Sequence, residues 1–420
     1  MMGNCDGKMP EMISKPISSC RICGSIDLDL ILDLGTQPPA NSLRTNVGQV
    51  LEAIPLAICR CQNCTTVQLT ETVAPEHLFR DYIWVTGTSQ TTRTYSQTFC
   101  EYIEQRCNRT PLFVVEVASN DGTFLQRFRE HGHRVLGVDP AQNLARIAEA
   151  DGIQTIPEFF GLDIGGRVTQ LHGHADAVIA RNVLPHVPDP NDVVAGIAHC
   201  LKNDGLGAIE FHWVDKILSE LHYDSIYHEH LFYHSLHSID QLLKRHQLVL
   251  FDVTESPISG GSLVAYFSKT PHESSSALTE KLTFEKERRV SSLETWHKFA
   301  TRSQEHRHLL KNMVEAEIES GKRLIGYGAS ARSSTLLNFC GINSRHLACI
   351  ADQNPLKHGR YTPGTDVLIV SPERALAEHP DAIVLLAWNF KDEILKQLLN
   401  SEFHGNVIVP LPDQPQLLRI

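Results

Sequence analysis

Eight consecutive residues, Tyr227-His228-Glu229-His230-Leu231-Phe232-Tyr233-His234, hold three histidines, two tyrosines and a carboxylate. Imidazole titrates near neutrality, so a histidine here can remove a proton while a glutamate fixes its tautomer. A tyrosine hydroxyl can donate to an oxygen on which negative charge grows. His230 and His234 also stand at the helical i, i+4 spacing of a metal pair, although the stretch does not read HExxH. A packed, structural cluster is the remaining reading. A further histidine, His186, closes Asn182-Val183-Leu184-Pro185-His186 after the apolar run Ala177–Ala180. A strand end of this kind faces the ligand crevice of an open α/β sheet.

Nucleoside chemistry is suggested upstream. The apolar run Phe113–Val117 contains Glu116 and leads into Ala118-Ser119-Asn120-Asp121-Gly122, after which a helix-like stretch begins. A second apolar run, Arg134–Val138, ends at Asp139. A tight turn lets backbone approach a ligand, and an acid at the next strand end can hold a ribose diol. The turn is not GxGxxG, and it suits S-adenosylmethionine (SAM) better than a dinucleotide. Asn182 lies at the neighbouring strand end and joins this candidate cofactor set. A ligand-free α/β domain is the structural alternative.

A second glycine turn, Gly326-Tyr327-Gly328-Ala329-Ser330-Ala331, has Asp352 at the end of the following apolar run. It approximates GxGxxA, so a NAD-linked oxidoreductase competes here. Arg332, Lys357 and Arg360 offer cations for phosphate, and Trp388 is either a stacking platform or core.

Cys20-x2-Cys23 and Cys61-x2-Cys64 form two thiol knuckles. Two such knuckles close a tetrahedral zinc shell with no open position, which makes the metal structural and a source of folding energy. Four ordinary buried cysteines are the alternative. Cys59 reads as a packed strand residue.

These groups need a scaffold. The chain has 420 residues, too many for one core. Residues 1–17 read as a disordered tail, 18–75 as a zinc-binding domain and 76–272 as an α/β domain. Residues 273–310 read as a helical connector and 311–420 as a second, smaller α/β domain. Ser262–Phe267 reads as an edge strand. The formal net charge of −11 argues against nucleic acid as a partner. No apolar run reaches membrane-spanning length, and no secretory signal is evident. Eleven cysteines without such a signal point to a reducing cytoplasm.

The ordered motifs resemble the sugar C-methyltransferases that act on nucleotide-linked 4-keto-6-deoxyhexoses. The N-terminal markers are the cysteine pairs, Leu34-Gly35-Thr36-Gln37-Pro38-Pro39-Ala40-Asn41, Val67-Gln68-Leu69 and Leu78-Phe79-Arg80-Asp81-Tyr82. The central markers are Ser119–Gly122, Asn182–His186 and Tyr227–His230. Further on stand Gly326–Ala329, Leu336–Asn338, Asp352–Lys357, Pro363-Gly364 and Trp388-Asn389.

The resemblance implies an α/β protein of three parts. These are a small N-terminal zinc-binding domain, a central Rossmann-like class I methyltransferase domain and a C-terminal second Rossmann-like α/β domain. It implies a reaction in which a base removes the proton beside the C4 ketone and the enolate carbon attacks the SAM methyl. His230 matches the base and Glu229 the carboxylate that orients it. Tyr227, His186 and Tyr82 match groups lining the sugar. Tyr327, Ser330, Arg332, Asn338, Asp352, Lys357, Trp388 and Asn389 are the expected contacts to the nucleotide sugar. Ala118 stands where many SAM proteins have glycine, Trp84 where a tyrosine is usual, and Gly87-Thr88-Ser89 where a serine pair is usual.

The expected enzyme is a SAM-dependent C3-methyltransferase of a thymidine-diphosphate (dTDP) 4-keto-6-deoxyhexose, carrying structural zinc and acting as a monomer or weak homo-oligomer. C5 methylation, O- or N-methylation, a NAD-linked oxidoreductase and a zinc-knuckle scaffold are the alternatives.

Overall fold

Short apolar stretches broken by turns build the first sheet, in a segment too small to bury a large core. The computed structural model describes residues 13–47, 49–80, 82, 84–401 and 403–420. Strands β1 (Ser14–Pro16), β2 (Leu28–Gln37), β3 (Ile54–Cys61), β4 (Val67–Leu69) and β5 (Glu71–Val73) precede a short helix α1 (Pro75–Phe79). β1 pairs antiparallel with β5, which corrects the tail expected over residues 1–17: its first twelve residues lie outside those described, but Ser14–Pro16 is a strand. The cause is backbone pairing, which needs no apolar periodicity.

The central domain begins with α2 (Gln90–Cys107), capped by Ser89 accepting from Thr92 N–H. There follow β6 (Phe113–Val117), α3 (Thr123–Glu130), β7 (Arg134–Val138), α4 (Gln142–Ala150), β8 (Thr155–Ile156) and α5 (Leu162–His172). Then come β9 (Ala175–Arg181), α6 (Pro190–Cys200), β10 (Leu201–His212), α7 (Val214–Ser219), β11 (Phe232–Tyr233), α8 (Leu236–Arg245), β12 (Val249–Ser256) and β13 (Ser262–Ser268). The sheet order is β12-β13-β10-β9-β6-β7-β8, with β13 antiparallel to both its neighbours, β10 and β12, and the other pairs parallel. Ser262–Phe267 is therefore interior and β12 is the edge, because β13 bonds both β10 and β12. The chain runs outward from β6 to β8 and then returns to β9. The strand order thus reverses between β6 and β9, where open α/β sheets hold their ligands.

Strand β11 leaves this sheet and pairs antiparallel with β4 of the first domain. The Leu69 N–H also donates to the Leu231 carbonyl at 2.9 Å. The titratable cluster is thereby stitched to the zinc-binding domain.

Helices α9 (Ser276–Glu287) and α10 (Leu293–Glu319) form the connector. The expected boundary at residue 310 cuts α10, which continues for 27 residues because no glycine or proline interrupts it. Arg302 Nη1 donates to the Leu218 carbonyl at 3.0 Å and His306 Nε2 to the Pro410 carbonyl at 2.6 Å, so α10 binds the domains together.

The last domain contains β14 (Leu324–Tyr327), α11 (Ala331–Cys340), β15 (Ile350–Ala351), β16 (Ile369–Val370) and α12 (Pro372–Leu376). It ends with β17 (Ala382–Leu385), α13 (Lys391–Asn400), β18 (Asn406–Val409) and β19 (Gln416–Arg419). Its order is β16-β15-β14-β17-β18-β19, with β19 antiparallel. Among the described residues, no helix is long and apolar enough to cross a membrane.

Candidate active site

The four knuckle thiols converge. Cys20 and Cys64 lie 3.5 Å apart, as do Cys23 and Cys61, and all four sulfurs fall within 4.8 Å of one another. Tetrahedral zinc with bonds of about 2.3 Å separates its sulfurs by about 3.8 Å, so the donor set fits that ion. Burial pushes the Cys59 thiol up to about 11, and its sulfur stands outside the cluster. Arg21 braces the knuckle, donating to Gln68 Oε1 and to the carbonyls of Leu69 and Glu71.

The zinc-binding sheet presents the Tyr227–His234 segment to the crevice between β6 and β9. His230 Nδ1 lies 2.9 Å from the Ser225 carbonyl, so that nitrogen carries the proton. Its Nε2 then bears the lone pair and accepts from the Tyr227 hydroxyl at 2.7 Å. Burial lowers the His230 imidazole well below its usual range, with His186 adding to the effect, so the ring is neutral. His186 shows the same arrangement. Its Nδ1 faces the Glu229 carbonyl at 2.7 Å, its ring centroid lies 4.9 Å from that of His230, and burial lowers it to about 4.

Glu229 is turned away from His230. Its Oε1 accepts from Asn41 Nδ2 at 2.6 Å, and Tyr82 is its other side-chain hydrogen-bond partner. The Ser225 carbonyl, not Glu229, orients the His230 ring, which corrects that expectation. Burial pushes the Glu229 carboxyl up to about 7, against those two hydrogen bonds.

The other two histidines of the segment are engaged elsewhere. His228 is buried against the Ile54 carbonyl at 3.3 Å. His234 is buried between Phe211 and Phe232, with Ser238 Oγ 3.3 Å from its Nδ1. His230 and His234 face different partners, Tyr227 and the Ser225 carbonyl for one and Ser238 for the other. Phe79, from α1, packs on Tyr82 and His186 and walls the cleft.

At the strand ends the expected cofactor loop is strongly bent. Ala118, Asn120 and Asn182 adopt left-handed φ of 55°, 54° and 50°. Gly122, also left-handed at 79°, packs tightly on Ile153. Asp139 Oδ2 accepts from the Asn120 N–H at 2.7 Å and Oδ1 from the Ala141 N–H at 2.8 Å. A carboxylate has further lone pairs for a ribose. Ser119 Oγ, in the same loop, is buried without a partner and is available to a ligand. Together these features fit SAM.

Two side chains do other work than expected. Asn120 Oδ1 accepts from Thr86 N–H at 2.9 Å, and Asp121 Oδ2 from Gly87 N–H at 2.8 Å. They fasten the segment Trp84–Gly87 over the loop. Glu116 is also committed, because its Oε1 pairs with Arg181 Nε at 3.0 Å in the interior. Burial pushes its carboxyl up to about 7 despite that partner.

In the last domain the order reverses between β14 and β17, which brings Gly328 and Trp388 to one end of the sheet. Gly328 has φ 98°, and a side chain there would overlap Ala387, so packing alone requires this glycine. Arg332 is not a free cation. It binds Asp224 through two hydrogen bonds of 3.0 and 2.8 Å, and Trp388 Nε1 donates to the same carboxylate at 2.8 Å. Trp388 is therefore buried domain-interface core, with Arg332 over its ring and His222 against it. Lys357 Nζ donates to the Ala329 carbonyl at 2.8 Å, and Asp352 Oδ2 accepts from the Ala329 N–H at 2.7 Å. Ser330 caps α11, and Asn338 donates to the carbonyls of Ser334 and Pro363. Tyr327 donates to Gln397 at 3.0 Å, and Asn389 is exposed. Asn41, Ser225 and Asp224 were not singled out as site residues in the sequence. Asn41 does stand in a quoted motif, whereas a carbonyl acceptor such as that of Ser225 has no sequence signature.

Three family descriptions match in chain order: a putative zinc binding domain over residues 20–79, a methyltransferase domain over 91–253 and a C-methyltransferase C-terminal domain over 257–412. The chain is similar to C-methyltransferase NovU of Streptomyces niveus, with 34% identity over 411 residues, covering 96% of this chain and 97% of the relative. A ubiquinone biosynthesis O-methyltransferase of Bordetella avium (strain 197N) is 30% identical over 22% of this chain and 39% of its own. Among solved structures, magnesium protoporphyrin IX methyltransferase of Synechocystis PCC 6803 with bound SAM overlaps 42% of this chain and 79% of that one. Its identity is 13% and its TM-score 0.33. With a relative alike along almost its whole length and all three domains matched in order, the chain belongs to the C-methyltransferase family.

Proposed function

We propose that this enzyme methylates C3 of a dTDP-linked 4-keto-6-deoxyhexose, with His230 as the base. The observation that carries the reading is the His230–Tyr227 pair: a neutral imidazole with its lone pair on Nε2, and a hydroxyl in contact with it. A ketone acidifies the adjacent C–H, and a base with a donor beside it suits enolate formation. In the proposed complex Nε2 takes the proton from C3, while the Tyr227 hydroxyl turns from the imidazole to the C4 oxygen as charge grows there. His186 carries its proton on Nδ1, toward Glu229, so its Nε2 can only accept. That makes it a partner for a sugar hydroxyl rather than a donor to the enolate. The bound cofactor supplies the electrophilic methyl group. The closed cleft aligns the carbon with that methyl and keeps water from the enolate.

The nucleotide part is proposed to lie along the β14–β17 crevice, with Tyr327 and Asn389 as its polar contacts. The four thiols must stay reduced to bind zinc, which supports a cytoplasmic location. The negative net charge supports a small-molecule partner rather than nucleic acid. A monomer or weak homo-oligomer is proposed.

The test is mass spectrometry with SAM and a panel of dTDP-4-ketosugars, repeated in deuterated water with S-adenosylhomocysteine in place of SAM. One added methyl at C3, and deuterium entering C3 in the second experiment, are expected. His230→Asn should bind SAM normally and lose turnover by about 10²- to 10⁴-fold, the usual weight of a general base. Methylation at C5 would move the base to the other flank of the ketone. Absence of methyl gain on every ketosugar would sink the substrate class.

A further inference from the structure

Far from this cleft, α2 and the turn between α3 and β7 bring together a thiol, a carboxylate and an imidazole. Cys100 and Glu104 stand one turn apart on α2, and His131 is the C-cap of α3. Cys100 Sγ lies 3.8 Å from His131 Nδ1, which lies 2.8 Å from Glu104 Oε1. The three ligand atoms all fall within 4.8 Å of one another. Donors around a tetrahedral zinc, with bonds of about 2.0–2.3 Å, stand roughly 3.3–3.8 Å apart. Small side-chain rotations bring this triangle to that size.

The surroundings are those of a supported site. His133 Nδ1 accepts from the Leu112 N–H at 3.0 Å, so its Nε2 carries a proton and donates to Glu104 Oε1 at 2.7 Å. An imidazole N–H fixing a carboxylate is the outer support typical of metal ligands. Cys100 is buried in an apolar cluster with Tyr95, Phe99 and Phe128, while His131 is exposed. The fourth position therefore opens to water.

We infer that Cys100, Glu104 and His131 form a second metal site, for zinc or a similar divalent transition ion, separate from the four-cysteine centre. On binding, the Cys100 thiol loses its proton to solvent and ligates as thiolate. His131 and His133 precede β7 whereas Asp139 follows it, so the ion sits at the end of the sheet opposite the cofactor loop. It touches no reacting atom. It clamps α2 to the α3–β7 turn, and the first turn of α2 adjoins the Trp84–Gly87 segment that covers the cofactor loop.

The test uses the full-length protein brought by mild chelation to one zinc per chain, that of the four-cysteine centre, and then titrated with Co²⁺, with bound cobalt and retained zinc both measured after desalting. One cobalt per chain is expected beyond the retained zinc, with a thiolate-to-cobalt charge-transfer band. Cys100→Ser should remove that band. His131→Ala, at an exposed helix end, should lose the cobalt while keeping zinc, fold and SAM affinity. His133→Ala should weaken cobalt binding by about 10- to 100-fold. Cobalt that enters only as zinc leaves, or that binds equally to wild type and His131→Ala, would overturn the site.

Discussion

Asn41 of the zinc-binding domain donates to Glu229 Oε1 of the central domain across 2.6 Å, one residue from the imidazole of His230. The side chain thus reaches the cleft from a domain that carries no catalytic group of its own. A hydrogen bond to a carboxylate, the form Glu229 takes above about pH 7, is worth about 1.5–3 kcal/mol, or roughly 10- to 100-fold. Asn41→Ala should lower kcat/KM by that factor with zinc content and SAM affinity unchanged. Steady-state kinetics beside metal analysis checks this, and an unaltered kcat/KM would show that Glu229 holds its place without Asn41.

Zinc should matter to catalysis through backbone pairing. β4 lies beside β3, which ends at Cys61, and it holds β11 just beyond His230. Cys61→Ser should release the metal and loosen the floor under His230. Turnover is expected to fall by about 10²-fold or more, the effect of misplacing a catalytic group by roughly 1 Å. The Gly122 loop lies in another domain, so SAM binding by calorimetry should survive. A variant that loses zinc and keeps full turnover would separate the two.

Arg332 and Asp224 form a buried pair, and breaking such a pair costs about 3–5 kcal/mol. Arg332→Ala should therefore lower the thermal midpoint markedly even without ligand, because it leaves Asp224 charged and unpaired between domains. A residue whose main role is to bind phosphate would instead leave the ligand-free midpoint alone and raise KM for the nucleotide sugar.

Glu229 should give stability a distinctive slope with pH. Its carboxyl lies near 4.5 in an unfolded chain and is pushed up to about 7 by burial in the fold. Below pH 4.5 both states hold the proton. From 4.5 to 7 the unfolded chain releases it while the folded chain keeps it, so folding stability falls as pH rises. The loss is on the order of 3 kcal/mol. Glu229→Gln removes this slope, so the variant should gain on wild type across that window in denaturant titrations. A constant difference across it would mean that Glu229 titrates normally.

Much of this architecture was legible in the residues. Phe113–Val117 and Arg134–Val138 are strands with the bounds their apolar runs suggest, because parallel strands buried on both faces read as unbroken apolar stretches. The cysteine spacing identified its ligands because two thiols on one turn have few other uses. The site was legible by type and not by partner. His230 stood out, but nothing in the spacing shows that Ser225 orients it or that Glu229 turns to Asn41. Those contacts join residues far apart in the chain. The Arg332 cation suggested phosphate, and only folding reveals that Asp224 already satisfies it. Ser262–Phe267 suggested an edge, whereas it lies between β10 and β12, because an apolar run says that a strand is buried and not where in the sheet it lies.

The pairing of β4 with β11 has a consequence for synthesis. The zinc-binding domain leaves the ribosome first, with one side of β4 presenting unsatisfied N–H and C=O groups. Its partner, Phe232-Tyr233, follows more than 160 residues behind Leu69. At about 5–20 residues per second, that edge waits roughly 10–30 s for its own strand. Throughout that interval the nascent chain exposes a template for foreign strands. Zinc uptake cannot shorten the wait, since the metal closes the turn between β3 and β4 and leaves the outer edge of β4 bare.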